Sequence, residues 1–445
     1  MNDFLNIVAY LSVLLIVGIV LKSKIKLLQE LFIPASVIGG GIGLFLGPDF
    51  LGRYYELIPL SWINSIKSIP GVLIVPILVS VPLGMELGKK NRFVKNTVNT
   101  GGILFLVTFI QLFIGYFINF IFDKLFNITL YKSFGAELNS AFAGGHGTAG
   151  VVGRTLKELG GDYWELAQGV TVTLATIGLV TGIVFGIFQI KRKSGSSLTQ
   201  EVLSEYKSGY IKNREKQNFI GKETMLTTTV DTLAYHLAVV FGVSGFAIIV
   251  LNLFKKFQIP VLSKITIWSL GMFIMFFIWQ IMSKRGLEWS IDTKVKGKIT
   301  GTLTEFAIVA AVATIPLKGV MSYIFPIVFT SIVGFSITWL IIYKLSQRYF
   351  KDYHLERSLA MFGTSTGVFI TGLLLLRICD PKLETPVLQD YSLGFSITAL
   401  MGPILIALCI QLSVAYNYFY PMGILIVLII LTSLSMEYYN RGVEI

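Results

Sequence analysis

Long apolar segments separated by short polar ones form the main pattern of this 445-residue sequence. Ten of them come near the roughly 20 residues that a helix needs to cross a bilayer. These apolar runs lie at 4–21, 71–87, 101–122, 166–190, 232–253, 265–282, 306–317, 324–343, 392–414 and 422–434. Two more stretches, 31–46 and 359–376, contain glycine or polar interruptions and are interpreted either as spans or as re-entrant hairpins. The pattern predicts an all-α polytopic membrane protein with about ten to twelve membrane segments.

The composition agrees with this class. Hydrophobic residues make up 54% of the chain and charged residues 14%, whereas soluble proteins carry about a quarter charged residues. The mean hydropathy is +0.73. The net charge of +12 comes from basic residues in short loops beside apolar runs, so membrane topology explains it better than binding of nucleic acid does.

Charges beside the first spans predict the orientation. Lys22, Lys24 and Lys26 follow the first apolar run, and no basic residue precedes it, which is the reverse of a cleavable signal peptide. The positive-inside rule then places the N-terminus outside and the basic loop at 89–95 in the cytoplasm. The first run is expected to remain as a membrane helix.

One long polar segment, 191–229, separates the chain into two halves. Its basic start, KRK at 191–193, predicts a cytoplasmic linker. We expect an N-terminal membrane repeat at 1–190 and a C-terminal membrane repeat at 230–445, the latter with an extra apolar segment at 422–434.

The two halves share a weak internal pattern. An Ile-Pro pair opens a segment soon after the first span of each half, at 33–34 and 259–260, and a Gly/Thr interruption follows at 143–150 and at 362–372. An odd number of crossings per half gives two inverted repeats, each of about five helices with a re-entrant glycine-rich hairpin. Matching interruptions in inverted repeats indicate the binding site of a secondary transporter.

The first interruption, AGGHGTAG at 143–150, is the most specific motif. Each glycine costs a helix roughly 1 kcal/mol relative to alanine, so the backbone is expected to open here. Open backbone at membrane depth is tolerated only inside protein or beside a watery cavity. His146 is interpreted as a ligand or as a brace of the loop, and Gly145 and Gly147 as positions where a Cβ would block approach of the backbone. The predicted substrate-binding residues are Gly144, Gly145, His146, Gly147, Thr148, Gly363, Thr364, Ser365, Thr366 and Gly367.

Hydroxyl groups at both interruptions are the expected ligands of a coupling cation. Neutral hard oxygens suit an alkali cation, and the alternative role for each hydroxyl is a helix cap. The predicted cation ligands are Thr148, Thr176, Ser365 and Thr366. Hydroxyls and free carbonyls outnumber proton carriers at membrane depth, which favours sodium over protons.

Ionisable residues inside apolar segments are functional candidates, because a charge at membrane depth is costly. Glu137, His236 and Glu305 qualify, with a place at the interface as the alternative for the glutamates and a satisfied core histidine as the alternative for His236. Three arginines flank the interruptions and would either steer an anion or snorkel to the interface: Arg154, Arg357 and Arg377.

Signals of an enzyme are missing from the sequence. The chain has three histidines, and no HExxH motif, Walker A motif or pair of carboxylates at catalytic spacing. Cys379 and Cys409 lack metal-ligand spacing. We expect no enzyme and no cofactor; a passive channel or a membrane-embedded transferase using His146 remains the alternative.

SAFAGGHGTAG at 140–150, Ile33-Pro34 followed by glycines at 39–41, and ATIGLV at 175–180 resemble the sodium/glutamate symporter family over nearly the whole chain. The resemblance implies two inverted repeats of five spans, each with a re-entrant loop, joined by a cytoplasmic linker. It also implies a mobile transport domain in a dimer. The second interruption, GTSTGVFITG, lacks the histidine and the glycine content that glutamate carriers have there, which indicates a divergent branch.

The activity that the resemblance implies is sodium-coupled uptake of glutamate, or of a related small anionic amino acid, across the cell inner or plasma membrane. Sodium would be the coupling ion, and the protein would be embedded in the lipid bilayer. Exposed N–H groups at the broken helix ends would hold a carboxylate. Arg357 or Arg377 would hold a second carboxylate if the second hairpin folds inward.

Overall fold

The computed structural model describes residues 2–56, 58–85, 95–194, 211, 217, 219, 221–226, 228–259, 262, 265–380 and 385–442. All regular secondary structure in these ranges is helical. Ten of the described helices are long and apolar enough to cross a membrane, so the chain is a multi-pass membrane protein. The basic loop at 89–94, the greater part of the linker and Pro260 lie outside the described residues.

The described residues of the first half form eight helices, with short 3-10 turns at Leu51–Arg53 and Gly145–Thr148. They are α1 (Asn2–Lys24), α2 (Lys26–Glu30), α3 (Ala35–Leu46), α4 (Leu60–Val79), α5 (Lys95–Lys124), α6 (Ala136–Gly144), α7 (Ala149–Glu158) and α8 (Trp164–Ser194).

The second half contains nine described helices, with a 3-10 turn at Glu288–Ser290. They are α9 (Thr232–Lys256), α10 (Ile267–Lys284), α11 (Thr293–Ala313), α12 (Leu317–Ser322), α13 (Ile324–Tyr349), α14 (His354–Thr364), α15 (Phe369–Cys379), α16 (Val387–Ala415) and α17 (Phe419–Gly442).

Local sequence explains several of these boundaries. Asp231 caps α9 by accepting hydrogen bonds from the backbone N–H groups of residues 233 and 234, and Asp292 caps α11 in the same way. Pro34 directly precedes α3, a place where its missing N–H costs nothing. Gly18 lets α1 approach α3 closely, because a Cβ there would lie 2.8 Å from the Gly39 nitrogen.

Three predicted segments have different bounds. The run predicted at 71–87 belongs to α4, which begins at Leu60 and carries two prolines inside it. The run predicted at 306–317 is the end of α11, whose first half is too polar to be counted among the ten spans. The first residues assigned to the linker, 191–194, continue α8.

The helices pack as two groups with helices from both halves in each. The first group is α1, α3, α4, α9, α10 and α11; the second is α5 to α8 and α13 to α16, with α17 on the outside of α5. Helices at corresponding positions in the two halves make corresponding contacts, within a half or across to the other half. Thus α1 packs on α3 as α9 packs on α10, α3 packs on α11 as α10 packs on α4, and α5 packs on α16 as α13 packs on α8.

Candidate functional site

Both predicted interruptions are breaks in helical structure. In the first, α6 ends at Gly144, a 3-10 turn runs over Gly145–Thr148, and α7 follows. In the second, α14 ends at Thr364, and α15 begins at Phe369 after extended backbone at Val368. We call residues 145–148 the first tip and residues 365–368 the second tip.

The two tips touch each other. Gly145 has a φ of +64°, and a Cβ built on it would lie 2.7 Å from Cγ1 of Val368 and 3.3 Å from the Gly367 carbonyl oxygen. Only glycine adopts this conformation at this distance without strain. At Gly147 a Cβ would meet only Cγ2 of Thr304, at 3.4 Å, so packing within the protein does not require glycine there, and its role in the approach of a ligand stays a prediction.

A cavity of about 1320 Å³ lies between the two helix groups and reaches both tips. Helices α4 and α11 line it on one side, and α16 lines it on the other together with the tips. Eight of the predicted substrate-binding residues line this cavity: Gly144, Gly145, His146, Gly147, Thr148, Thr364, Ser365 and Gly367.

Gly363 and Thr366 are outside the cavity lining. A Cβ on Gly363 would lie 2.8 Å from Cα of Gly372, so this glycine permits α14 to cross α15 closely. Thr366 is fully buried, and its hydroxyl donates to the Phe362 carbonyl oxygen at 2.9 Å. The structure therefore gives both residues a packing role and does not bring them into the cavity.

His146 is almost fully buried, and its Nε2 lies 2.9 Å from Oγ1 of Thr176 on α8. The Thr176 hydroxyl has a single proton, which it donates to the Val172 carbonyl oxygen at 3.0 Å. With that proton used, the Thr176 oxygen accepts from Nε2–H of His146. His146 is thus braced by Thr176 at Nε2, and in the neutral form of the ring Nδ1 is the acceptor.

The other predicted hydroxyl ligands serve mainly as braces. The Thr148 hydroxyl is 2.5 Å from the Ser140 carbonyl oxygen and 2.9 Å from that of Gly145, which ties the first tip across its own turn. The Thr364 hydroxyl contacts the Ala360 carbonyl oxygen and the Tyr391 hydroxyl. Neither hydroxyl accepts from a backbone N–H at the start of a described helix, so neither serves as the N-terminal cap that was the alternative role. Each oxygen retains a lone pair and can still act as an acceptor.

A buried amide network joins the second tip to α6, the helix that leads into the first tip, and sequence reasoning missed it. Gln111 on α5 donates from Nε2 to the Ser365 carbonyl oxygen at 2.8 Å and to Oγ1 of Thr338 at 2.9 Å. Its Oε1 accepts from Nδ2 of Asn139 at 2.8 Å. The available signal was a glutamine inside the apolar run at 101–122 and an asparagine directly before the glycine-rich motif.

The three ionisable candidates have different surroundings. His236 is a satisfied core histidine: Nδ1 bonds the Thr232 carbonyl oxygen at 2.7 Å, and Nε2 accepts from the Asp292 N–H at 2.9 Å. Glu137 is buried at the start of α6, away from the cavity, and accepts from the Gly135 N–H at 2.7 Å. Glu305 is exposed and lines the cavity.

The arginines are not in the cavity lining. Arg357 forms a buried ion pair with Asp390, with 2.9 Å between Nη2 and Oδ2, and its guanidinium lies over the Phe350 ring. Arg154 pairs with Glu158 at 2.6 Å. The expectation that Arg357 or Arg377 would hold a substrate carboxylate is not met by this arrangement.

Two lysines line the cavity instead. Lys296 on α11 donates to the Leu83 carbonyl oxygen at 3.0 Å and forms no ion pair with any described residue. Lys22 shares the cavity with Glu305, whose charge attracts it. Two lysines and one glutamate thus give the lining an excess of one basic residue, which the sequence alone did not reveal.

The donor chemistry at the tips fits an alkali cation. Within the described residues no three His, Cys, Asp or Glu side chains cluster as a metal site. The tips offer hydroxyl, amide and backbone oxygens, which are hard and neutral, as sodium accepts. No protein-family model matches the chain, and a search among curated proteins gives no significant match.

Proposed function

We propose that the protein is a secondary active transporter that couples uptake of glutamate, or of a related small anionic amino acid, to sodium. The observation that carries the proposal is the meeting of the two tips, whose first residues, 145 and 365, are 220 residues apart in sequence, on one cavity between two helix groups. Transporters place substrate and coupling ions at interrupted helices between such groups. The resemblance to the sodium/glutamate symporter family supplies the substrate and the ion.

The packing supports two inverted repeats. Helices α1, α3, α4, α5 and α8 correspond in order to α9, α10, α11, α13 and α16, and matching pairs pack in the two halves. In this arrangement α6 and α7 form one re-entrant hairpin and α14 and α15 the other. The N-terminus would be outside, the linker in the cytoplasm, and the protein in the cell inner or plasma membrane as a homodimer.

The charge of the cavity supports an anionic substrate. Lys22 and Lys296 attract carboxylates, and the first turn of α15, at residues 369–371, lines the cavity with its N-terminal end. Unpaired N–H groups at a helix N-terminus bind anions without a buried cation. A zwitterion with one extra carboxylate would find donors at α15 and a positive charge at Lys296.

The test is uptake of labelled glutamate by the purified protein in liposomes. We expect saturable uptake that requires an inward sodium gradient and is competed by aspartate analogues. Liposomes with choline in place of sodium, and liposomes with a sodium ionophore, are the controls. Uptake that ignores the gradient would refute the coupling ion, and transport of another solute but not of glutamate would refute the substrate.

A further inference from the structure

The side-chain oxygen of Asn139 on α6, Oδ1, is a buried hydrogen-bond acceptor without a partner among the described residues. The side chain is 1% exposed and lines the cavity between the two tips. A buried acceptor left unsatisfied costs about 1–3 kcal/mol, so a native protein retains one mainly where something else binds it.

The hydrogen-bond network fixes the direction of this oxygen. The Ser365 carbonyl can only accept, so the group of Gln111 that faces it must be the amide nitrogen. Oε1 of Gln111 then faces Asn139, which must present its own nitrogen to it. Oδ1 of Asn139 is therefore the atom that remains unpaired, and turning either amide would bring two acceptors together.

We propose that Oδ1 of Asn139 is a ligand of the coupling sodium ion, at the place where the two tips meet. This inference rests on the proposed function and adds a residue to it. An amide oxygen is a neutral hard ligand, as are the hydroxyls of Ser365 and Thr148 in the same cavity wall. Gln111 positions the ligand, and it does so only while the Ser365 carbonyl stays in reach.

This arrangement makes ion binding depend on the second tip. If Ser365 moves away, the nitrogen of Gln111 loses its fixed partner, and the orientation of Asn139 is no longer determined. Sodium at Asn139 would therefore bind best when the two tips are together. Such a dependence is what coupling between ion and substrate requires.

The experiment measures sodium binding without transport. The thermal midpoint of the purified protein in detergent is followed against sodium concentration, with choline chloride holding the ionic strength constant and no amino acid present. A ligand that binds the folded state raises the midpoint. We expect the wild type to respond to sodium and Asn139→Ala to need at least about tenfold more sodium, the scale of loss seen when a metal site loses a supporting contact.

Two further variants separate a ligand from a structural amide. Asn139→Asp, protonated in this buried place, keeps a carbonyl oxygen toward the cavity and donates its O–H to Oε1 of Gln111 in place of the amide N–H₂, so we expect it to retain the sodium response. Ser396→Ala is the matched control, since Ser396 lines the same cavity and its hydroxyl already donates to the Ser392 carbonyl oxygen. It should respond as the wild type does.

The proposal is overturned if Asn139→Ala keeps the wild-type response or if Asn139→Asp folds and loses it. It is also overturned if methylammonium raises the midpoint as sodium does, because the site would then bind an amine. Should Asn139→Ala fail to fold, Asn139→Asp decides alone. If the wild type shows sodium-driven uptake and the thermal midpoint of Asn139→Ala responds to sodium as the wild type does, Asn139 is not a sodium ligand, but the proposed function stands.

Discussion

The two tips meet on the same cavity but are held by different chemistry. At the first tip, the imidazole of His146 reaches Thr176 on α8. Directly before the second tip, at the end of α14, the hydroxyl of Thr364 contacts that of Tyr391 on α16, and Tyr391 also donates to the Phe369 carbonyl oxygen at 2.8 Å. Each tip is thus fastened to the long helix that follows it in its own half.

Because the two tips carry different residue types, they would contact a ligand in different ways. The imidazole uses one nitrogen for its brace and presents another acceptor, so the first tip can recognise a ligand through a side chain. Thr366 of the second tip donates its proton to the Phe362 carbonyl oxygen of α14. The second tip is therefore suited to contact a ligand through oxygen lone pairs and backbone groups. This difference from the first tip follows from the residue types.

The far ends of the broken segments differ as well. The first turn of α6 carries Glu137, which is buried and forms no ion pair with any described residue. The first turn of α14 carries Arg357, which is buried against Asp390, while Thr97 on α5 donates to the second oxygen of that carboxylate at 2.7 Å. The second segment is anchored by charge and the first is not.

The largest expected effect is on this anchor. Arg357→Met leaves Asp390 buried without its partner, and breaking a buried pair in this way costs about 3–5 kcal/mol. The variant should show a clearly lower thermal midpoint in detergent. Adding Asp390→Asn removes the stranded charge, so the double variant should recover much of the loss.

Glu137→Gln is the comparison at the first segment. The amide keeps the shape and the acceptor for the Gly135 N–H, so the stability should change by no more than about 1 kcal/mol. An equal loss in Glu137→Gln and Arg357→Met, or no recovery in the double variant, would contradict the distinction between the two anchors.

The second effect concerns the contact between the tips. Gly145→Ala forces a side chain into a left-handed conformation, at a cost of about 1–2 kcal/mol, and places its Cβ against Val368. Since 1.4 kcal/mol corresponds to a factor of ten, we expect sodium-driven uptake to fall at least about tenfold. Gly147→Ala is the matched control, because its Cβ has room.

A second substitution sharpens this test. Val368→Ala removes the methyl groups that the new Cβ would meet but leaves the left-handed backbone, so it should restore part of the uptake lost in Gly145→Ala. If Gly145→Ala and Gly147→Ala transport equally well, the tips do not depend on their close contact.

Much of the fold was predictable because bilayer spans depend on local composition. The apolar runs predicted nine of the ten spans at their approximate positions, with 31–46 left open between span and hairpin, and both glycine-rich breaks were found where glycine and threonine interrupt an apolar run. The start of α4 was predicted at residue 71, eleven residues too late, because Pro70, Pro76 and the polar residues in its first half interrupt the apolar pattern.

The site was predictable only in part. Glycine at position 145 indicates by itself a backbone conformation that other residues avoid, so its role could be inferred from the local sequence. The partnership of Gln111 with Ser365 and Asn139 depends on segments 254 and 28 residues away, and no local pattern reports such a distance. Arg357 likewise looked available for a substrate because its partner, Asp390, follows on another helix.

The smallest expected effects come from the two ties between tips and long helices. Thr176→Val removes the acceptor of the His146 Nε2–H, and Tyr391→Phe removes the hydroxyl shared by Thr364 and the Phe369 carbonyl. Each loses one buried hydrogen-bond partner, so each should lower the stability by about 1 kcal/mol.

Their effects on transport should differ, since His146 presents its ring to the cavity, whereas Tyr391 lies behind the second tip and outside the cavity lining. In liposomes, Thr176→Val should raise the KM for glutamate several-fold, by about 1 kcal/mol of binding, because a ring without its brace is no longer held in one orientation. Tyr391→Phe should leave KM near the wild-type value. The measurement is the dependence of uptake on glutamate concentration in the two variants. Thr176→Ser, which keeps the hydroxyl, is the control and should have the wild-type KM. A raised KM in Tyr391→Phe with a normal KM in Thr176→Val would contradict the roles assigned to the two tips.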